Sequence, residues 1–461
     1  MDFIKDAISY DRSTRLGGLY DDQAVFLNMT RFFDDFKFVS NNNGAWLDTL
    51  GMRQHNIGLD VSPEYATVDM PFANSNEFAD LARKEKGRKF ILYSPLNPPY
   101  ITNPLAYVMN SPTIAHAYEN KRYFRDEFTD LINLPEHVIK RIDEIDKNTY
   151  DELSANFGEM MVLQDVELSG SKGTMFANNK DEFYKAVESL KDISYSGTIV
   201  ISKFIAGASC SVQVCITKYG IFIGGLQRQL VNSQYLCDIS QKGSTKWCGG
   251  ELGGIEPDIV VHRAREIATI VGSELSSHGY RGIFGIDLII TPSDEVYAIE
   301  INARLTGFSH ILSDMQFQKN KIPFMLLHAL ELSNAAYEVE DVDALPMPGA
   351  LKDRYSYLII MNEHDSDYTL TKGIKSGIYK KDGDTIKYAR VGYSVADLKE
   401  DSEMIILSKF AKTGDLVECG KRIVKIIIKG KTIDSDTNDL DEKAQELIKA
   451  IRNGLDLRRK Q

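Results

Sequence analysis

The sequence lacks most of what would mark a nucleic-acid, membrane or secreted protein. Lysine and arginine (54) are outnumbered by aspartate and glutamate (66), giving a net charge of -12. Surfaces that bind polyanions are usually basic, so neither nucleic acid nor an anionic membrane is an expected partner, although a local phosphate site is compatible with this balance. No apolar run approaches the roughly 18 residues of a membrane span. The opening Met1-Asp2-Phe3-Ile4-Lys5-Asp6 lacks the charged-then-apolar pattern of a signal, so the expected compartment is the cytoplasm. Five cysteines (Cys210, Cys215, Cys237, Cys248, Cys419) form no CxxC, and their odd number favours free thiols over a disulfide frame. Cys248, beside Gly249 and Gly250, is the most loop-like and the one candidate for a reactive thiol; a buried, inert cysteine is the commoner case. There is no internal repeat, low-complexity tract or Walker A loop. What remains is ordinary globular material, 461 residues with 43% hydrophobic and 26% charged, enough for roughly two to four domains.

The most informative stretch is 282–306, GIFGIDLIITPSDEVYAIEINARLT. It reads as two strands, 282–291 and 296–302, joined by the turn-forming Pro292-Ser293-Asp294-Glu295. With that turn Thr291 faces Val296, and counting back sets Asp287 opposite Glu300. Side-chain alternation then gives Ile286, Leu288 and Ile290 one face with Tyr297, Ile299 and Ile301, and gives the other face Asp287, Glu300 and Asn302, with Arg304 just beyond. Like charges directly opposite cost roughly 0.2–1 kcal/mol. Two carboxylates and an amide oxygen make the all-oxygen set that Mg2+ prefers, with phosphate oxygens completing the shell. The alternative is a solvated hairpin face with Arg304 paired to one of the acids.

Around this hairpin the chain alternates strands and helices. Residues 20–115 carry short apolar runs (24–29, 36–39, 90–93) and a helical stretch at 77–86, a small α/β unit. The loop 94–99 after the third run has the composition of a cleft-lining loop. Helical spacing at 119–132 includes Lys121, and 134–147 reads as a second short helix or turn. A buried strand at 160–165 leads into the small-residue loop Ser169-Gly170-Ser171-Lys172-Gly173-Thr174, whose backbone N–H groups and ammonium suit phosphates, or which is simply an exposed turn. A helix (180–191) and a β-branched strand (198–204) follow, then strands 211–217 and 220–226, and a long polar insertion, 231–254. An amphipathic helix at 258–278 leads into the hairpin. Beyond it lie a helix at 322–332, a linker at 344–349, strands at 357–361, 377–379, 404–407 and 422–428, and a closing helix at 440–452.

That order, ending in D-x12-E-x-N-x-R (Asp287, then Glu300-Ile301-Asn302-Ala303-Arg304), resembles the ATP-grasp superfamily, in its biotin-carboxylase-like and amino-acid ligase branch. The likeness is strongest over about 115–335. It implies an α/β (α+β) ATP-grasp fold divided as follows: a Rossmann-like domain at 1–115, a small lobe with the glycine-serine loop at 116–200, a large lobe with the metal and phosphate site at 201–340, and a β-rich C-terminal domain at 345–461. It implies ATP and Mg2+ (or Mn2+) as cofactors, with Asp287, Glu300 and Asn302 holding the metal and Arg304 against the transferred phosphoryl group. Lys121 and the loop Ser169–Thr174 match phosphate-binding positions. Lys203, Phe204 and Ile205 match the hinge that reads and packs the adenine.

Three positions depart from the pattern. Gln164 stands where a lysine is usual, so Lys172 is expected to supply that charge and to act with Arg304 as a catalytic residue. Ser202 and Ser209 stand where glutamates are usual, which puts nucleotide preference in doubt. No Met-Lys-Met biotinylation context occurs. The implied activity is carboxylate–amine ligation: the acid is phosphorylated to an acyl phosphate and an amine displaces phosphate, joining two small molecules of amino-acid or peptide-like type. Arg228, in Gln227–Gln229, is a candidate clamp for the substrate carboxylate, or else an ordinary ion pair. His310 and His262 are candidate acid–base groups, or packing and capping residues. The branch also implies a homodimer. The competing readings are a bicarbonate-activating, biotin-carboxylase-like enzyme and a non-catalytic ATP-binding regulatory protein.

Overall fold

The structure, a computed structural model, describes residues 2–19, 23–40, 45–58, 76–85, 87–92, 107–108, 110–168, 173–237, 246–254, 256–346, 353–362, 366–455 and 457–459. Near the N-terminus five short parallel strands lie in the order Asn56–Gly58, Lys37–Ser40, Leu16–Leu19, Lys89–Leu92, Tyr107–Val108. Parallel neighbours need crossover connections, which is the Rossmann-like arrangement expected there. The apolar run 24–29 is not a strand but part of the 3-10 helix Gln23–Arg31, with Val25, Phe26, Leu27 and Met29 buried. The loop 94–99 lies outside the described residues.

A four-stranded antiparallel sheet follows, in the order His137–Arg141, Thr198–Lys203, Met161–Asp165, Thr174–Ala177. Helices Thr149–Phe157 and Lys180–Ile193 pack on it through Tyr150, Leu153, Phe183, Val187 and Leu190. The segment 134–147, read as a helix or turn, contains the strand His137–Arg141, whose partner is Thr198–Lys203. A long-range pairing, from Thr198 with Arg141 to Ser202 with His137, overrides the weak local signal.

The largest sheet has ten antiparallel strands. Their order is Val296–Asn302, Gly282–Ile290, Ala208–Thr217, Gly220–Val231, Trp247–Leu252, Tyr355–Met361, Arg422–Lys429, Glu403–Leu407, Gly377–Asp382, Thr385–Arg390. It runs without a break across the segment 344–349. On one face the helix Asp258–Ser277 buries Val260, Ala264, Ile267, Val271 and Leu275 against Cys210, Val212, Val214, Ile286 and Leu288. On the other face lie helices Ser309–Gln318 and Phe324–Ser333, the first of which local periodicity does not reveal.

The stretch 231–254, read as a polar insertion, contains an internal strand of this sheet, Trp247–Leu252. Its glycines mimic a loop signal, but they serve close backbone approach. A Cβ on Gly249 would lie 1.9 Å from the Tyr357 carbonyl oxygen, and one on Gly250 2.0 Å from that of Arg228.

Candidate active site

The hairpin forms, and Asp287 is paired with Glu300. The route to that pairing differs from the simple count. Ile290, not Thr291, faces Val296, because Asp294 adopts a positive φ (63°) within a five-residue turn closed by Thr291 N–H to the Glu295 carbonyl. The register then shifts between Asp287 and Leu288, leaving Ile299 as the extra residue of a β-bulge. One slip cancels the other at Asp287. The faces of the second strand change accordingly: Val296, Ala298 and Ile301 enter the core with Ile286, Leu288 and Ile290, while Tyr297 and Ile299 do not.

The carboxylate face is closed by groups from four elements. Gln229 Nε2 donates to Asp287 Oδ1 (2.9 Å) and Asn302 Nδ2 to Asp287 Oδ2 (3.1 Å). Asn302 Oδ1 accepts from Arg304 Nη2 (2.6 Å). Because Val296–Asn302 is the edge strand, side chains from the neighbouring helix pair can reach around it. Helices Pro112–Glu119 and Lys121–Phe128 are parted by Asn120, whose side chain caps the second by accepting from the Arg122 and Tyr123 N–H groups. Lys121, read as a phosphate ligand, is buried; its Nζ donates to the Leu168 carbonyl (2.8 Å) and lies 3.8 Å from Glu300. Glu119 forms an ion pair with Arg304 (3.2 Å). Arg304 is therefore paired with an acid from outside the hairpin.

The electrostatics follow from this crowding. Burial, and after it the Glu300 charge, raises the Asp287 carboxyl well above the usual carboxylate range, against the pull of the Gln229 and Asn302 amides. Burial also pushes Glu119 up to about 7, opposed first by Arg304. Arg125, fully buried one turn beyond Lys121, is lowered to about 10 by burial while Glu300 favours its charge, and it donates to the Ala298 carbonyl (3.3 Å). Sequence reasoning missed Glu119, Arg125 and Gln229. Helical spacing from Lys121 to Arg125 was the only available hint, and nothing local ties Gln229 to Asp287.

Other expected site residues are distributed more widely. Ser169, Gly170, Ser171 and Lys172 lie outside the described residues. Gly173 and Thr174 lie where that loop re-enters the sheet: the Gly173 carbonyl accepts from Asp165 N–H, and Thr174 Oγ1 accepts from Gln164 Nε2 (3.3 Å). Gln164 is buried and neutral. Asp165 anchors the loop's entry by accepting from the Glu167 and Leu168 N–H groups, 2.8 Å each. Lys203 pairs through its side chain with Glu136 (3.0 Å), and Phe204 meets the Phe176 ring at 6.2 Å. Ile205 is half-buried just past the end of the strand Thr198–Lys203.

Arg228, expected as a substrate clamp or an ordinary ion pair, stands apart from the carboxylate cluster. Strand alternation places its neighbours Gln227 and Gln229 on the carboxylate face and Arg228 on the opposite one, where it pairs with Glu256 (3.5 Å). Cys248 is buried, with its thiol raised far by contact with Cys237 and by burial, which removes it as a nucleophile. His310 is buried against Tyr357 and lowered to about 4 by desolvation; His262 is exposed beside Glu266 (3.5 Å).

The donor chemistry fits a hard divalent cation. Two carboxylates face each other across the ladder, and a dication there would offset the Glu300 repulsion that adds to burial in raising Asp287. Among the described residues no three His, Cys, Asp or Glu side chains gather as a metal cluster.

Residues 118–308, which hold this arrangement, match the model of the ATP-grasp domain family. Among curated proteins, a [butirosin acyl-carrier protein]–L-glutamate ligase of Niallia circulans is 31% identical over 123 residues, covering 22% of this chain and 29% of that protein. The match thus spans under a third of the relative's length. Among solved structures, biotin carboxylase of Campylobacter jejuni superposes with a TM-score of 0.65 at 13% identity, covering 97% of this chain and 92% of that one. The L-amino acid ligase of Bacillus licheniformis gives 0.60 at 13% identity, covering 98% and 100%. At such identities the likeness is one of fold. No helix among the described residues is long and apolar enough to cross a membrane.

Proposed function

We propose that this chain is an ATP-dependent carboxylate–amine ligase that releases ADP and phosphate. The observation that carries the reading is the pairing of Asp287 with Glu300, with Asn302, Arg304 and Lys121 around them. Transfer of a phosphoryl group needs charge neutralisation and positioning more than covalent help, and this cluster is built for both. Asp287, Glu300 and Asn302 would hold Mg2+ or Mn2+; when bound, the metal neutralises phosphate charge and aligns the group in transfer. Arg304 stabilises charge on the transferred phosphoryl and on the acyl phosphate that forms when the substrate carboxylate attacks. The amine then attacks the acyl carbon, phosphate leaves, and an amide remains. With Gln164 neutral, Lys121, Arg304 and Lys172 carry the positive charge facing the phosphates. Lys203, Phe204 and Ile205 take the adenine edge and face. An amino acid as one reactant is supported by the names of the two ligase relatives, both of which act on amino acids.

The test is phosphate release from ATP and Mg2+ with pools of carboxylates and amines. Release that requires both an acid and an amine is the expected result. Release with bicarbonate alone would favour the carboxylase reading, and nucleotide binding without turnover a regulatory one. Glu300→Gln should abolish metal-dependent turnover with the circular dichroism spectrum unchanged; retained turnover would remove Glu300 from the metal site.

A further inference from the structure

Glu119 is a charged group at this site that neither the D…E-x-N-x-R pattern nor the proposed reaction uses. It is the last residue of the helix Pro112–Glu119, outside the sheet. Its carboxylate lies 3.2 Å from Arg304 Nε, with the two side chains only 16% and 17% exposed. From the other side Asn302 Oδ1 takes Arg304 Nη2. The Glu119 carboxylate holds Arg304 by charge, while the Nη2 hydrogen bond to Asn302 directs one edge of the planar guanidinium.

The alternatives open to Arg304 give this grip a function. Asp287 and Glu300 are acids of the same cluster, and the Arg304 charge already acts on Asp287. An arginine released from Glu119 would gain most by falling on one of those two carboxylates, where it would compete with a cation for the same oxygens. We propose that Glu119 is a positioning residue: it anchors the Nε edge of Arg304, keeps the guanidinium off Asp287 and Glu300, and so leaves those two carboxylates for the cation. The inference rests on the nucleotide–metal reading above.

Calorimetric titration with ADP and Mn2+ tests it without turnover. Glu119→Gln should weaken Mn2+–ADP binding about tenfold, the scale of losing a partner that orients a metal site. Glu119→Asp, which keeps the charge, should recover part of that loss, and it carries the test if the amide variant does not fold. The decisive arm is the double variant: in an Arg304→Ala background, Glu119→Gln should have no further effect, because no guanidinium remains to misplace. A merely structural Glu119 would weaken binding equally in both backgrounds. Unchanged binding in Glu119→Gln, or a loss that persists without Arg304, overturns the proposal while the nucleotide site stands. Failure of the unaltered protein to bind Mn2+–ADP overturns the nucleotide reading and this inference with it.

Discussion

At the scale of single residues the site is a set of charges held against their preference for water. Glu119 shows the consequence for stability. Burial raises its folded pKa to about 7, above an ordinary glutamate near 4.5. The folded state therefore binds the extra proton between those values, and linkage makes stability fall as pH rises through that window. The size is on the order of 3 kcal/mol for a shift from about 4.5 to about 7. Urea unfolding of the ligand-free protein at pH 5 and at pH 8 should show the decline, and Glu119→Gln, which cannot ionise, should show a smaller one. A decline of the same size in the variant would remove Glu119 as its source.

At the scale of elements the outcome turns on backbone geometry. Asp287, Glu300, Asn302 and Arg304 were legible because a hairpin converts sequence spacing into spatial pairing, and here two departures from the ideal count cancelled. The apolar face was misread at Tyr297 and Ile299, since a bulge leaves no mark in composition. Trp247–Leu252 was illegible for a related reason: its glycines admit a neighbouring backbone, and local reading cannot distinguish that from a loop. Arg228 has the residue type of a carboxylate clamp, while its place in the alternation sets it on the face opposite Asp287 and beside Glu256. The strand pairing can be tested directly. Gly249→Ala puts a methyl 1.9 Å from the Tyr357 carbonyl at a φ of 107°, which should cost about 3 kcal/mol or more. Denaturant unfolding measures it, and a change below roughly 1 kcal/mol would show that these strands yield easily.

Across the whole molecule, distant parts of the chain meet at Asp314, on the helix Ser309–Gln318 shortly after Glu300–Arg304. Its buried carboxylate accepts from Ser394 Oγ (2.7 and 2.8 Å) and Val395 N–H (2.6 Å), and pairs with Arg31 (3.3 Å). Arg31 also lies over the Phe317 and Tyr393 rings. One aspartate thus ties the N-terminal region, the helix Ser309–Gln318 and the C-terminal 3-10 helix Val395–Asp397 with its cap Ser394. Breaking such a buried pair by removing one charge typically costs about 3 kcal/mol or more. Asp314→Asn should lower the midpoint of a single unfolding transition; a separate early transition instead would mean that the regions unfold independently.

The ten-stranded sheet also bears on how the chain resists association. Proline and glycine at 344–349 suggest a natural place to divide the protein, yet Trp247–Leu252 pairs on one side with Gly220–Val231 and on the other with Tyr355–Met361. A fragment ending at that segment would carry a bare strand margin, with unsatisfied N–H and C=O groups open to any extended peptide. The C-terminal strands thus seal the margin that the preceding part of the sheet would otherwise leave open.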